Sequence, residues 1–385
     1  MIFVKRDDLK AGMRLARPIY NKNGVLLYER NSRLTSQGIV SIKNFGLIGI
    51  FVLEPAEPVP PMTQDDIEFE RFQTICVFSI QEELNTILRT SKAPKTPVIV
   101  SNIIKSYGRL DKKINFMQNL RSKEDYFYKH SLNVAILCAM ITRTLNLSPA
   151  EQLETVTAAV VHDIGKLSAP KEILMKEEWS KEDRARIKSA EVAGFGLLEQ
   201  VFAASPNIRR ICMQAQGHLD NLEKYREPDS RKLLMGAKVL AVAEIFDTMT
   251  AMQVDKEPAS EVAALKFLLD NPKFFDKKVV DAFCKSVNIL FPGVSVELNN
   301  GEKALVLVEN SANILEPLIL TFGDNRLIDL SHPAYNGHLE IADVMKTMDN
   351  RYVMNMDLLK KQGVEAEEPV YVGDTAEEEY TPGMV

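Results

Sequence analysis

The sequence predicts a mainly α-helical protein in which a long helical region lies between two small domains that contain β-strands. Apolar residues recur with the helical period from about residue 65 to residue 288. Short apolar runs separated by turn residues occupy the first 54 residues and return from about residue 289. The chain has 385 residues, of which 45% are apolar and 26% are charged, and this ordinary globular composition argues against overall disorder.

Residues 1–54 are predicted to form a small α+β domain. Two apolar runs, at residues 17–20 and 25–28, flank Asn23-Gly24, and an Asn-Gly pair in this position indicates a β-hairpin. Four prolines within residues 55–64 can continue neither a helix nor a sheet, so they predict a stiff linker. The domain is also expected to contain a helix after residue 35 and a strand at residues 49–53.

The helical domain predicted at residues 65–288 has marked helix ends. Ser148 and Glu151 form a capping box with Pro149 at the first helical position. Ser180 has the same arrangement with an aspartate three residues later. Gly165 lies just past an apolar helix and is expected to end it.

A small β domain is predicted at residues 289–361. Apolar runs at residues 294–298 and 304–308 flank Asn300-Gly301, and a second hairpin is expected over residues 318–330. A short helical or irregular stretch is expected to follow. The remaining residues, 362–385, contain seven acidic side chains and no basic ones, which predicts a disordered, solvated tail.

Charge and composition narrow the class of partner. The formal net charge of −6 provides no broad basic field for nucleic acid or anionic lipid, although a local basic cluster could still bind a small anion. The four cysteines form no C-x-x-C pair, which favours buried thiols in a reducing compartment. The first residues lack the apolar core of a signal peptide, and no apolar run approaches the roughly 20 residues of a membrane span. We therefore expect a cytoplasmic protein that binds neither nucleic acid nor a membrane.

Two candidate metal ligands lie at the end of the apolar helix before Gly165. His162 and Asp163 are adjacent, and a ring nitrogen and a carboxylate oxygen at a helix end can both reach one ion. Such mixed ligands suit Fe, Mn, Zn or Ni. Lys166 follows closely and could hold a phosphate oxygen as a point charge. A His-Asp pair alone is weak evidence, because most such pairs are incidental and a buried histidine often bonds only to backbone.

These residues resemble a known family. His162–Lys166 resembles the motif that names the HD superfamily of metal-dependent phosphohydrolases, and His130–Ala135 and Val242–Thr250 are similar to its first and last ligand segments. The resemblance covers about residues 1–283 and implies an HD-type helical bundle as the central domain. The following stretches resemble the bacterial HD-GYP subfamily, which hydrolyses the messenger cyclic di-GMP, and the small domain often found ahead of it: Pro170–Lys176, Phe275–Phe283 and Leu9–Ala16.

The departures from the family pattern fall mainly on one of its two metal positions. Ala190 and Gly217 stand where the family has ligand histidines, and residues 221–226 replace the loop that gives HD-GYP its name. An expected arginine near Gln253 is also missing. Glu244 replaces an aspartate but can still ligate. The resemblance therefore implies one metal ion, held by the family-matched positions His130, His162, Asp163 and Glu244, with His218 as the surviving histidine of the second position.

The leading hypothesis is a signalling protein of HD-GYP descent, a cyclic di-GMP phosphodiesterase with an eroded second metal site and weak activity. Asp163 and Lys166 are the candidate catalytic residues, and Lys166, Lys176 and Lys256 are candidate contacts for the small anionic nucleotide. The alternative is a catalytically inactive regulator that uses the same bundle to bind a nucleotide or a protein partner.

Overall fold

In the computed structural model the chain divides into two compact units: the first comprises Met1–Thr74 together with Leu290–Val385, and the second comprises Ile75–Ile289. The structure describes residues 2–21, 25–44, 49–53, 63–176, 178–224, 226–228, 232–253, 258–332 and 337–344. Most of the predicted Pro-rich linker and the whole predicted acidic tail lie outside these residues. No helix in the described ranges combines the length and the apolar character that crossing a membrane would require.

The N-terminal part of the first unit is a small α+β arrangement. Its elements are β1 (Ile2–Lys5), β2 (Arg14–Leu15), β3 (Ile19–Tyr20), β4 (Leu26–Tyr28), α1 (Ser36–Asn44) and β5 (Gly49–Leu53). An antiparallel sheet has the strand order β1-β5-β2, and β3 pairs with β4 as the predicted hairpin. Leu15, Ile42 and Val52 are buried in a shared apolar cluster, which fixes α1 against the sheet.

The C-terminal part is a five-stranded antiparallel sheet of order β10-β6-β7-β8-β9. Its strands are β6 (Ser295–Leu298), β7 (Lys303–Val308), β8 (Leu318–Thr321), β9 (Leu327–Asp329) and β10 (Ile341–Val344). Both predicted hairpins are confirmed. The expectation of a helical or irregular stretch after them was wrong for β10, which pairs with β6. This strand has only four residues and one fully buried position, Ile341, so it carries no readable alternation.

The second unit is helical, as predicted. The helices, the first of which begins before that unit, are α2 (Gln64–Thr90), α3 (Thr96–Ser106), α4 (Tyr126–Thr144), α5 (Pro149–Val161), α6 (Ile164–Leu167), α7 (Lys171–Leu174), α8 (Lys181–Val201), α9 (Pro206–Glu223), α10 (Met235–Thr250), α11 (Glu261–Asp270) and α12 (Lys277–Cys284). The capping boxes at Ser148 and Ser180 are both present, so α5 and α8 begin where the sequence predicts.

Helix α4 is the central element of the bundle. Fourteen of its nineteen residues are buried, and it packs against α3, α5, α10 and α12. A helix that is surrounded in this way is apolar on all sides rather than along one stripe. The few polar side chains on α4 that are buried, such as His130 and Asn133, therefore need partners from the neighbouring elements.

Gly165 does not end the apolar helix, contrary to the sequence prediction. Helix α5 ends at Val161, and Gly165 lies inside the short helix α6. A Cβ at Gly165 would lie 2.7 Å from the backbone of Glu191, and one at Gly194 would lie 2.5 Å from the Gly165 Cα. Glycine is required here because the backbones of α6 and α8 touch, and no left-handed conformation is involved. This contact holds α8 beside the His-Asp pair.

Candidate metal centre

Four of the predicted ligands come together inside the helical unit. His130 lies on α4, His162 and Asp163 lie in the turn between α5 and α6, and Glu244 lies on α10. One ligand atom from each residue falls within 4.8 Å of the others. His130 and Asp163 are at most 3% exposed, and the Glu244 side chain is 15% exposed, so the group is shielded but reachable from one side.

The two imidazole rings point their Nε2 atoms at each other and toward the carboxylates. His130 Nδ1 lies 2.6 Å from Asp247 Oδ2, and His162 Nδ1 lies 2.7 Å from the Ala159 carbonyl oxygen. Both partners are acceptors, so each Nδ1 must donate its proton. The Nε2 atoms, 3.3 Å apart, are then the atoms left to bind an ion. Hydrogen bonds of this kind are what orient metal-binding histidines in proteins.

Glu244 contacts both imidazoles with a single oxygen. Its Oε2 lies 2.9 Å from His130 Nε2 and 2.8 Å from His162 Nε2. Burial alone would raise the pKa of Glu244, but the two imidazoles outweigh it and hold that pKa well below its usual range. Burial likewise would lower the pKa of each histidine, and the nearby carboxylates instead raise it. The extra methylene of glutamate, compared with aspartate, thus carries the carboxylate between the two rings.

A buried network behind His130 was not identified from the sequence. Asp247 is fully buried and accepts hydrogen bonds from Arg121 at 2.7 and 2.6 Å, from Gln118 at 3.1 Å and from Asn133 at 3.0 Å, besides His130. Burial would raise the pKa of Asp247, but the Arg121 guanidinium and His130 keep it well below its usual range. The one available signal was the spacing of Glu244 and Asp247, three residues apart on one face of an apolar helix.

Lys166 joins the metal group to a second set of charges. Its Nζ lies 2.7 Å from Asp163 Oδ1 and 3.6 Å from Glu191 Oε1. Lys188 Nζ lies 2.9 Å from the other oxygen of Glu191 and 2.6 Å from Asp220 Oδ2. Burial would lower the pKa of Lys166, but Asp163, Glu244 and Glu191 raise it, so Lys166 stays charged. Alternating charges therefore run from Asp163 toward α9.

The remaining predicted site residues do not join the four. His218 is buried, and its Nε2 lies 2.7 Å from the Phe274 carbonyl oxygen, while its Nδ1 has no hydrogen-bond partner in the part of the chain that the structure describes. Lys176 is held by both carboxylate oxygens of Asp183, at 2.8 and 2.7 Å, at the start of α8. Lys256 lies outside the described residues.

The two positions where the family pattern has histidines differ in surroundings. Ala190 packs against an apolar cluster formed by Ala169, Ile173 and Ile187. Gly217 is exposed, and a Cβ there would have no heavy atom within 4 Å. Lys188 and Glu191, which flank Ala190 in the sequence, form an ion pair in which Lys188 Nζ lies 2.9 Å from Glu191 Oε2. The surroundings of Ala190 thus combine an apolar contact with an ion pair.

The chain is similar in sequence to several known proteins. Residues 115–279 match the family model described as HD domain. The chain is similar to the cyclic di-GMP phosphodiesterase PA4108 of Pseudomonas aeruginosa, with 24% identity over 225 residues, which are 58% of this chain and 54% of that protein. It is similar to the cyclic di-GMP phosphodiesterase PdeB of Borreliella burgdorferi, with 23% identity over 211 residues, 54% of this chain and 55% of that protein. The chain therefore spans about half the length of these curated relatives.

Proposed function

We propose, from the premise that this chain carries an HD domain and belongs to the HD superfamily of metal-dependent phosphohydrolases, that it is a phosphodiesterase acting on a cyclic dinucleotide such as cyclic di-GMP. The observation that carries this proposal is the convergence of two Nε2 atoms and two carboxylates, with each Nδ1 proton directed outward by a fixed acceptor. Several relatives are named as cyclic di-GMP phosphodiesterases, which supports the substrate class.

The donor set fits a divalent transition metal. Two imidazoles and two carboxylates suit Fe, Mn, Zn or Ni, and fixed second partners on both histidines favour ligation. Such an ion, when bound, polarises a phosphoryl oxygen and lowers the pKa of a water ligand. His130, His162, Asp163 and Glu244 would hold it.

The protein's own groups have separate roles in this proposal. Lys166 stays charged beside Asp163 and offers its ammonium to a phosphodiester oxygen as a point charge. Asp163 orients that ammonium with one oxygen and faces His162 with the other, at 3.7 Å from Nε2. Asp247 fixes the His130 ring so that Nε2 remains available to the ion. The burial of these groups strengthens each of these electrostatic interactions.

We propose that a single ion is bound and that hydrolysis is slow. Two-metal phosphodiesterases hold the attacking and leaving oxygens between ions about 3.5–4 Å apart. Ala190 and Gly217 have no side-chain atom that can ligate a metal, and His218 uses Nε2 on the Phe274 carbonyl. One ion leaves one of the two reacting oxygens without a metal partner.

The second candidate function is a regulator that binds a nucleotide or a protein without hydrolysis. The observation favouring it is that Glu244 Oε2 already contacts both Nε2 atoms and that Lys166 is engaged with two carboxylates. In this case the buried ion pairs of the group would serve ligand binding and the stability of the bundle.

Elemental analysis of protein purified without chelator, combined with a nucleotide-release assay on cyclic di-GMP, separates the two. The phosphodiesterase proposal expects about one metal per chain and slow release of nucleotide, both lost in His162→Ala and Asp163→Ala. His332→Ala, an exposed histidine of the C-terminal sheet region, is the matched control and should keep both. Two metals per chain would contradict the single ion. No metal and no hydrolysis would support the regulator.

A further inference from the structure

A polar cavity lies in the helical unit, at the far end of α4 from the metal group. It has a volume of about 300 Å³. Its lining residues are Leu110, Asp111, Lys112, Met140, Arg143, Thr144, Asn146, Lys285 and Ser286. Arg143 lies thirteen positions after His130 in α4, which corresponds to about 20 Å along the helix axis. The cavity is therefore separate from the candidate metal centre.

The charges around this cavity oppose the charge of the whole chain. Lys112, Arg143 and Lys285 bring three cations, and Asp111 brings one carboxylate, so the lining is net positive although the chain carries −6. Arg143 Nη2 lies 2.6 Å from Asp111 Oδ1, but the Asp111 side chain is 82% exposed and that of Arg143 is 42% exposed. An ion pair so open to water is weak and can be exchanged for a better anion.

The neutral lining adds shape and one amide. The Thr144 and Ser286 hydroxyls lie 3.1 Å apart and donate to the Met140 and Ala282 carbonyls, so they brace the wall of the cavity. Asn146 contributes an amide from a left-handed turn just after α4. Leu110 and Met140 give an apolar wall. Cavities of this size hold small ligands with a few polar anchors. A phosphoryl group with a small organic part suits three cations, one amide and one apolar side.

The segment that lines the cavity is tied to the rest of the unit by backbone hydrogen bonds. Ile114 N donates to the Ser286 carbonyl at 3.2 Å, and Asn288 N donates to the Ile114 carbonyl at 2.9 Å. These bonds hold the loop that carries Lys112 beside the C-terminus of α12, which is capped by Lys285. The backbones that carry the two cations are thus held at a fixed separation, and an anion has to order only their side chains.

We propose that this cavity is a binding site for a small phosphoryl compound, a phosphomonoester or inorganic phosphate, distinct from the metal group. Arg143 and Lys285 are the principal anion contacts. The site does not depend on the proposed phosphodiesterase activity, because none of its residues touches the metal ligands.

Titration of the full chain with ribose 5-phosphate at low ionic strength, followed by calorimetry, tests the proposal, with inorganic phosphate and unphosphorylated ribose as companion probes. We expect saturable binding of both phosphate-bearing probes, none of ribose, and a loss of affinity as salt is added. Arg143→Gln and Lys285→Gln should each weaken binding by about tenfold, the loss expected for one charge-assisted hydrogen bond. Lys277→Gln, an exposed lysine at the start of α12 paired with Asp281, is the matched control and should not change it.

The Lys166→Gln variant distinguishes binding in the cavity from binding at the metal group. Binding that survives Lys166→Gln and is weakened by Arg143→Gln supports the cavity as the site. Binding that is lost in Lys166→Gln and unchanged in Arg143→Gln and Lys285→Gln would overturn the proposal, as would the absence of saturable binding. Equal affinities for ribose 5-phosphate and inorganic phosphate would show that the site recognises the phosphoryl group alone.

Discussion

Replacing Asp247 by asparagine should destabilise the helical unit more than any other conservative change at the site. The carboxylate is fully buried and accepts five hydrogen bonds, two of them from Arg121, which is 1% exposed. An asparagine has one acceptor oxygen and two donor hydrogens. If its amide nitrogen replaces Oδ2, it faces the N–H groups of Arg121 and His130. If it replaces Oδ1, it faces those of Arg121, Gln118 and Asn133.

The magnitude follows from the groups left without acceptors. At least two buried donors lose their partner in either orientation, at about 1–3 kcal/mol each, and the Arg121 charge loses its counterion. Removing one member of a buried ion pair costs about 3–5 kcal/mol, and we expect Asp247→Asn to fall in that range. Since domains are stable by only about 5–15 kcal/mol, this is a large share of the total.

Urea denaturation followed by helical circular dichroism measures the effect. Asp281→Asn, an exposed aspartate paired with Lys277, is the matched control and should change the free energy of unfolding by less than about 0.5 kcal/mol. Gln118→Ala, which removes a smaller part of the network, should lie between the two and gives a reading if Asp247→Asn does not fold. A loss below about 1 kcal/mol in a folded Asp247→Asn protein would refute the reasoning, because the Arg121 charge would then have another partner.

Three further predictions follow from single contacts. Gly194→Ala should lower the free energy of unfolding by about 1–3 kcal/mol, because its Cβ would lie 2.5 Å from the Gly165 Cα. Gly196→Ala, whose Cβ would have no atom within 4 Å, should raise it by about 0.5–1 kcal/mol. Equal effects of the two changes in urea denaturation would contradict the close packing of α6 and α8. Ala190→His should add no second metal ion in elemental analysis, because Ala190 packs against an apolar cluster. A second metal ion per chain would show that α8 can turn this position toward Asp163. The hydrogen bond from Lys238 lowers the pKa of Asp276, so the stability that this pair contributes is present above the unfolded pKa and is lost as pH falls through the lower folded pKa. Asp276→Asn should therefore lower the free energy of unfolding by at most about 1 kcal/mol at neutral pH, and this difference should disappear in acid. A difference that persists in acid would point to helix capping by Asp276 rather than to its charge.

Two of the four residues at the candidate metal centre carry a local signal in the sequence. His162 and Asp163 are adjacent at the end of an apolar helix, whereas His130 and Glu244 entered the prediction only through the resemblance to the HD superfamily. The capping boxes at Ser148 and Ser180 fixed two helix starts through bonds that span only three residues. Hairpins were predictable for the same reason, since a turn and its flanking strands lie within about ten residues.

The network behind His130 could not be predicted, because its partners have no periodic pattern. Arg121 and Gln118 lie in an irregular segment, and their partner Asp247 lies more than 120 residues further along the chain. Nothing local distinguishes a buried arginine from the surface arginines. The pairing of Lys188 with Asp220 joins two different helices in the same way. The glycine at position 165 was misinterpreted because close backbone contact and a helix stop leave the same residue in the sequence.

The irregular segment between α3 and α4 has a consequence for how the protein reaches its final form. Ile114 pairs with Val287, and Arg121 pairs with Gln253, so the segment is fastened at two places to chain that is synthesised much later. Contacts of such long sequence separation form slowly, because the intervening chain must first be ordered. His130 can receive its Asp247 partner only when α10 has docked. We therefore expect the metal group to assemble late, after α4 and α5 have paired, and a fragment that ends at residue 234, before α10, should retain helices yet lose the fixed orientation of His130.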